Sequence, residues 1–297
     1  MDTETAQLHV TVGDGRRLRV RISGVRGGPL VIAHHGTPGS GLPLPAAIED
    51  VAAKGLLLAT VDRAGFGESD RLPGRQVAHV AADTAAVADA LGVERFRVWG
   101  WSGGGPHALA CAALLPDRVE AVATLGGVAP YDGEGLDWMG GMGEANLAEF
   151  GAAVASADKL EEFLAEERRE VLASRPEQLV ELLASLLSQP DRDAMDETTS
   201  AYFYASFADG LSGSHHGWLD DDLAFVRGWG FDPATITAPT LIVHGQHDLM
   251  VPISHARWMA RRIPHAVVWI SPDDGHISPL PKISRVHEWL LGQDRQT

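Results

Sequence analysis

Gly100-Trp101-Ser102-Gly103-Gly104 follows the β-prone residues 96–99 and leads into a helix-prone run over 107–115. A serine therefore stands where a strand turns sharply into a helix, and the flanking glycines leave room for the neighbouring strand and helix. Such a turn lifts the Ser102 hydroxyl clear of the backbone, and it lets the N–H of Gly103 face a developing oxyanion. The G-x-S-x-G pattern in this context predicts a nucleophilic serine, and the plain alternative is a glycine-rich turn whose serine has no role.

The composition limits the kinds of partner. The chain has 297 residues, 45% of them hydrophobic, and a formal net charge of -16. We expect neither a nucleic-acid nor a membrane partner, because the negative field repels phosphate. The single cysteine, Cys111, excludes an intramolecular disulfide. With no apolar signal core and no run long enough to cross a bilayer, the sequence predicts a cytoplasmic protein.

Strand and helix patterns alternate along most of the chain. An antiparallel hairpin is predicted over residues 8–22, and buried strands are predicted over 29–33, 56–61, 119–125, 239–245 and 266–270. Helical patterns lie between them, over about 45–54, 77–91 and 254–262, with a final helix after residue 282. This alternation predicts an α/β fold with a mostly parallel central sheet and helices on both faces. In such sheets ligands bind at the carboxyl ends of the strands, where Ser102 lies.

The alternation stops within residues 131–232, where helical patterns recur over about 144–156, 159–172, 176–187 and 198–207. We predict an inserted α-helical cap over 131–232 between the two parts of the core, 1–130 and 233–297; the alternative is a second domain beside the sheet. A cap above the strand ends should shape the substrate pocket. Its candidate lining residues are Trp101, Trp138, Met139, Met142, Tyr202, Phe203, Tyr204 and Phe207.

Two further side chains follow predicted strands on the Ser102 side of the sheet. A serine hydroxyl needs a base within hydrogen-bond reach, and that base needs an orienting carboxylate. His276 follows the last strand, Asp248 follows the strand before it, and the order Ser, Asp, His is that of hydrolase triads. We predict that His276 is the base and that Asp248 orients it, with Asp132 as the competing acid.

A second oxyanion donor is expected in the loop after the first buried strand, His35-Gly36-Thr37-Pro38. The N–H of Thr37 is the best candidate to act with Gly103, because Pro38 has no N–H. No metal and no cofactor are predicted. His215 and His216 lie near three aspartates, residues 220–222, but all are crowded into one glycine-rich stretch, which predicts a solvated loop. Asp273 and Asp274 are likewise expected to be solvated loop acids.

Taken together, the motifs resemble the serine-nucleophile branch of the α/β-hydrolase superfamily with a helical cap. The resemblance rests on residues 35–39, 62–69, 100–104, 245–252 and 275–276. It implies a cofactor-independent hydrolase that cleaves a carboxylic ester, lactone or related acyl small molecule through an acyl-serine intermediate. It also implies that the loop over 63–69 is structural and braces the sheet beside the elbow.

The resemblance also separates branches of that superfamily. Epoxide hydrolases and haloalkane dehalogenases carry an aspartate where this chain has Ser102, and proline iminopeptidases typically show Gly-Gly-Ser-Trp-Gly rather than Gly-Trp-Ser-Gly-Gly. Carbon–carbon bond hydrolysis, perhydrolysis, acyl transfer and aminopeptidase activity use the same triad and stay as alternatives. An alternative of another class is a ligand-binding receptor on this fold. The complete set of Ser102, Asp248 and His276 argues against a receptor, because pure binding does not need all three side chains.

Overall fold

The computed structural model describes residues 5–293. Eight strands lie in this part of the chain: β1 Ala6–Thr11, β2 Arg17–Gly24, β3 Leu30–His34, β4 Leu57–Val61, β5 Phe96–Trp101, β6 Val119–Leu125, β7 Thr240–Gly245 and β8 Val267–Ser271. They form one sheet in the order β1-β2-β4-β3-β5-β6-β7-β8. Only the β1–β2 and β2–β4 pairs are antiparallel. The mostly parallel sheet confirms the predicted fold class.

The helices of the described residues fall into two groups. Those before β6 and after β7 are α1 Pro45–Ala53, α2 Val80–Ala90, α3 Gly104–Leu114, α10 Ile253–Arg262 and α11 Ile283–Gly292. Those between β6 and β7 are α4 Glu144–Ala155, α5 Ala157–Ala173, α6 Leu179–Leu182, α7 Gln189–Ala194, α8 Glu197–Gly210 and α9 His216–Phe225. None of the described helices combines the length and apolarity needed to cross a membrane.

The centre of the sheet is apolar on both faces. Every residue of β3 and β4 is buried, as their continuously apolar sequences predict. Among the flanking helices, α1 packs on α11, whereas α2 packs on α3. Helix α3 follows the Ser102 turn and contacts β3, β5 and β6, so three strands hold the helix that follows the turn.

The segment between β6 and β7 differs from its prediction in two places. The helix expected over 176–187 is a single 3-10 turn, Pro176–Gln178, followed by the short α6. The leucines after it, Leu183 and Leu186, instead border a cavity. The stretch expected as a solvated loop is helix α9, and its three aspartates, Asp220, Asp221 and Asp222, are at most 2% exposed. The solvated-loop prediction was wrong because buried partners surround these carboxylates, as described below.

A smaller correction concerns Asp274, which was also expected to be solvated. It is buried, and its Oδ2 accepts a hydrogen bond of 2.5 Å from the Lys282 ammonium group. Asp273 is exposed, as expected. The division of the chain at residues 130 and 232 stays a prediction.

Candidate active site

Ser102 adopts a backbone conformation that residues other than glycine rarely take. Its φ of 54° lies in the left-handed region, where a non-glycine residue is strained. The N–H of Ser102 donates to the Leu125 carbonyl at 2.9 Å, which ties the turn to β6. A Cβ on Gly100 would lie 2.0 Å from the Gly104 carbonyl oxygen, and one on Gly104 would lie 2.1 Å from the His34 carbonyl oxygen. Only glycine fits at both positions, as the sequence pattern predicted.

His276 and Asp248 are joined by a hydrogen bond. The His276 Nδ1 lies 2.7 Å from Asp248 Oδ2, and both side chains are completely buried. The other carboxylate oxygen, Oδ1, accepts from the backbone N–H groups of Met250 (2.9 Å) and Val251 (2.8 Å). This arrangement fixes the carboxylate and leaves Oδ2 directed at the imidazole. Asp132, the competing acid, is exposed and has no such contact.

The opposite ring nitrogen of His276 is available for chemistry. Its Nε2 is buried and has no hydrogen-bond partner among residues 5–293. Burial alone would lower the pKa of His276, but the negative charge and hydrogen bond of Asp248, helped by the charge of Asp191, raise it above its ordinary value of 6.5.

The residue before Ser102 packs directly on this histidine. The Trp101 ring centroid lies 5.1 Å from that of His276, and the Trp101 indole N–H donates to the His276 carbonyl at 3.2 Å. The structure therefore brings the Ser102 turn and the Asp248–His276 pair to the same rim of the sheet. In the described chain the Ser102 hydroxyl makes no hydrogen bond to Nε2.

Asp191, on α7, holds the backbone of the His276 loop and was missed by the sequence reasoning. Its Oδ2 accepts from the His276 N–H at 2.9 Å, and its Oδ1 accepts from Ile277 (2.7 Å) and Ser278 (3.0 Å). The Ser188 hydroxyl also donates to Oδ2, at 2.8 Å. No local motif marks Asp191, because the three backbone N–H groups that it accepts from lie more than eighty positions away in sequence.

The two predicted oxyanion donors lie side by side. A Cβ on Gly103 would fall 2.3 Å from the Thr37 hydroxyl oxygen, so the two residues are in direct contact. Within the described residues, neither the Thr37 N–H nor the Gly103 N–H has an acceptor. Both residues border the cavity that contains Ser102. Two free N–H groups beside a serine are what a developing oxyanion requires.

A buried ion cluster supports the Thr37 loop from behind. The Thr37 hydroxyl donates to Asp221 Oδ2 at 2.5 Å. The guanidinium groups of Arg63 and Arg75 each lie 2.6 Å from the same carboxylate. Burial acts to raise the pKa of Asp221, but the two guanidinium charges hold it far below its ordinary value. Asp221 therefore remains ionised and links α9 to the loop.

Ser102 opens into a cavity of about 120 Å³ beneath the helices between β6 and β7. Of the predicted lining residues, Trp101, Phe203 and Phe207 border it. Trp138 instead donates its indole N–H to the Ala129 carbonyl at 2.6 Å, and Met142 is buried, so neither reaches the cavity. Tyr204 is half-buried on another face of α8. The aromatic wall consists of Trp101, Phe150, Phe163, Phe203, Phe207, Trp218 and Phe225.

Three carboxyl groups also border the cavity: Glu149, Glu167 and Asp222. The Glu149 and Asp222 carboxyl groups are close neighbours, and Glu149 Oε1 accepts from the Trp218 indole N–H at 2.8 Å. Burial, with the charge of Glu167, raises the pKa of Glu149 to about 7. Burial and the neighbouring Glu149 carboxyl raise the pKa of Asp222 well above its ordinary value.

His215 and His216 meet a different acid from those expected. Together with Glu161 on α5 they place ligand atoms within 4.8 Å of one another. The His215 Nε2 lies 2.7 Å from the Glu161 carboxylate, whereas the aspartates of α9 point to other partners. These three partly exposed residues could hold a metal ion; that the protein needs none stays a prediction.

Several known proteins are similar to this chain over most of its length, and two of them are hydrolases of different names. A 2-hydroxy-6-oxononadienedioate/2-hydroxy-6-oxononatrienedioate hydrolase of Cupriavidus pinatubonensis is 26% identical, over 90% of this chain and 88% of its own length. A pimeloyl-[acyl-carrier protein] methyl ester esterase of Chromobacterium violaceum is also 26% identical, over 84% of this chain and 87% of its own.

Solved structures agree on the fold. A thermophilic esterase from Thermogutta terrifontis superposes with a TM-score of 0.69 at 24% identity, covering 97% of this chain and 99% of its own. The family described as alpha/beta hydrolase fold matches residues 29–282. With that match spanning both the Ser102 turn and the His276 loop, the chain belongs to the α/β-hydrolase fold family and is a hydrolase.

Proposed function

We propose that this hydrolase is a serine esterase. Its substrate would be a carboxylic ester, a lactone or a related acyl small molecule, cleaved without a cofactor. Ser102, His276 and Asp248 form the catalytic triad, and the N–H groups of Thr37 and Gly103 form the oxyanion hole. The helices between β6 and β7 act as the cap that covers the substrate.

The reaction runs in two steps. Nε2 of His276 takes the hydroxyl proton as Ser102 Oγ attacks the acyl carbon, and the two N–H groups stabilise the oxyanion. His276 then gives that proton to the leaving alcohol, and an ester bond joins the acyl group to Ser102. A water molecule, deprotonated by His276, attacks the acyl-enzyme; the acyl–Oγ bond breaks, the acid leaves, and His276 returns the proton to Ser102 Oγ. Asp248 holds the imidazole tautomer throughout and stabilises its protonated form.

One observation carries this proposal: the buried hydrogen bond of 2.7 Å between Asp248 and His276. The His276 imidazole keeps an Nε2 without a hydrogen-bond partner in the described chain. The same ring packs on Trp101, the residue that precedes the strained Ser102. The methyl ester esterase relative supports ester chemistry. A cytoplasmic location, a small-molecule substrate and the absence of nucleic-acid and membrane partners belong to the same proposal.

Turnover of a panel of short and long acyl esters and lactones tests the proposal. We expect hydrolysis by the native protein, and a loss of at least about a thousandfold in kcat for Ser102→Ala. Ser254→Ala is the matched control, because the Ser254 hydroxyl has no hydrogen-bond partner in the described chain, and it should retain activity. Equal activity of the Ser102→Ala variant and the native protein would refute the proposed nucleophile.

A further inference from the structure

The cap side of the substrate cavity is acidic. Glu149, Glu167 and Asp222 border it, and among its described lining residues there is no lysine, arginine or histidine. Most of the remaining wall is apolar or aromatic. A charged group in such surroundings has little water to stabilise it, so the carboxyl groups determine which substrate charge the cavity accepts.

Of these three carboxyl groups, Asp222 is the one that is completely buried without a hydrogen-bond donor among residues 5–293. It is fully buried, and neither of its carboxylate oxygens accepts a hydrogen bond from any N–H or hydroxyl group of the described chain. Its nearest charged neighbour in the cavity wall is the Glu149 carboxyl, whose repulsion helps to raise the pKa of Asp222. The charge of Arg75 also acts on Asp222, but the Arg75 guanidinium is paired with Asp221. A buried carboxyl group that accepts no hydrogen bond is costly, and proteins seldom keep such a group without a partner.

Glu149 makes the pair reachable from the cavity. Unlike Asp222, it is partly accessible, and its orientation is fixed by the hydrogen bond of 2.8 Å from Trp218 to Oε1. The second oxygen remains for Asp222 or for a ligand. Phe150, Phe163 and Trp218 border the same cavity, and the π faces of aromatic rings attract cations.

We propose that Glu149 and Asp222 form a subsite for a positively charged nitrogen, so that the substrate is an ester or related acyl compound that carries an ammonium group. This inference rests on the proposed function and adds the charge of its substrate. A bound ammonium group supplies the hydrogen-bond donors that the two Asp222 oxygens lack within the described residues, and Glu167 adds attraction of the same sign.

The same charges disfavour an anionic substrate. A dioate, which the name of the Cupriavidus pinatubonensis relative specifies, carries carboxylates that three acidic side chains would repel. The subsite therefore predicts that this chain and that relative act on substrates of different charge.

Binding to the inactive Ser102→Ala variant, measured by calorimetry at neutral pH, tests the subsite. The first ligand pair is the methyl ester of γ-dimethylaminobutyric acid and its uncharged isostere, in which CH replaces the protonated nitrogen. The second pair places the same groups in the alcohol part, as butanoate esters. We expect the cationic member to bind about tenfold or more tightly in at least one pair, because a desolvated charge-assisted contact contributes on the order of 1.5–3 kcal/mol. Equal binding of both members in both pairs would overturn the inference.

Variants then locate the effect. In the Ser102→Ala background, Glu149→Gln and Asp222→Asn should each bring the cationic-to-neutral ratio close to one, whereas Glu166→Gln should leave it unchanged. Glu166 is the matched control, because it is exposed on α5 and does not border the cavity. A ratio that survives both cavity substitutions contradicts the assignment. If either variant fails to fold, the ligand-pair comparison in the Ser102→Ala protein still decides whether the cavity prefers a cationic ligand.

Turnover of the uncharged isosteres by the native protein separates the two proposals. Hydrolysis that depends on Ser102, without any preference for cationic ligands, would retain the esterase and refute the subsite. Preferential binding of the cationic ligands, without hydrolysis of any ester, would retain the subsite and refute the esterase.

Discussion

The buried carboxylate of Asp191 positions His276, the proposed catalytic base. It receives three backbone N–H groups from residues 276–278 and one hydroxyl, and it does not border the substrate cavity. These bonds fix the loop from which His276 projects. Asp191 is thus a positioning residue, and its negative charge also favours the protonated imidazole.

Replacing Asp191 with alanine should misplace His276. We expect kcat to fall on the order of tenfold to a hundredfold with a smaller change in KM, since small displacements of a base are costly. The acid limb of the pH–rate profile should also move to lower pH, because a charge that raises the pKa of His276 is gone. Asp193→Ala, an exposed site on the same helix, is the control. An unchanged acid limb with unchanged kcat would show that Asp191 is only structural.

The pH dependence follows from His276 itself. Only the neutral imidazole can accept the Ser102 proton, so kcat/KM should decline as the pH falls through the His276 pKa. That pKa is raised above 6.5, chiefly because the charge of Asp248 outweighs the effect of burial. The acid-limb midpoint should therefore lie above 6.5, and the residual activity of Asp248→Asn should have a midpoint at lower pH. A native midpoint below 6.5 would contradict the assigned base.

At the scale of the element, helix α9 is the largest departure from the sequence prediction. Three consecutive aspartates with glycine and histidine before them are typical of a solvated loop. Here each has its own partner: Asp220 pairs with Arg71, Asp221 with Arg63 and Arg75, and Asp222 with Glu149. All four partners lie at distant positions in sequence, so no local pattern could have indicated them.

Asp221→Asn tests the role of that helix in holding the oxyanion loop. The substitution leaves two buried guanidinium groups without their counter-charge, so we expect the free energy of unfolding to fall by about 3 kcal/mol. Urea unfolding measures this change, and Asp132→Asn, an exposed site, should change it little. A loss equal to that of the control would mean that the ion cluster contributes no net stability.

At the scale of the whole molecule, the central sheet was predictable and the pocket was predictable only in part. Strands buried on both faces carry continuous apolar runs, and the Ser102 turn is encoded by adjacent glycines, so both can be recognised locally. The pocket forms where α4, α5, α8 and α9 meet above the sheet, and it depends on packing between segments far apart in sequence. Thus Phe203 and Phe207 border it, whereas Tyr204, between them on the same helix, does not.

The most direct test of the account is covalent labelling of the folded native protein with a serine-directed fluorophosphonate, followed by mass spectrometry of its peptides. We predict a stoichiometric adduct on Ser102, and labelling that is slower by orders of magnitude in His276→Ala, because the hydroxyl then has no base. Absence of an adduct on Ser102 in protein shown to be folded, or equal labelling of the His276→Ala variant, would contradict the central claim that His276 activates Ser102.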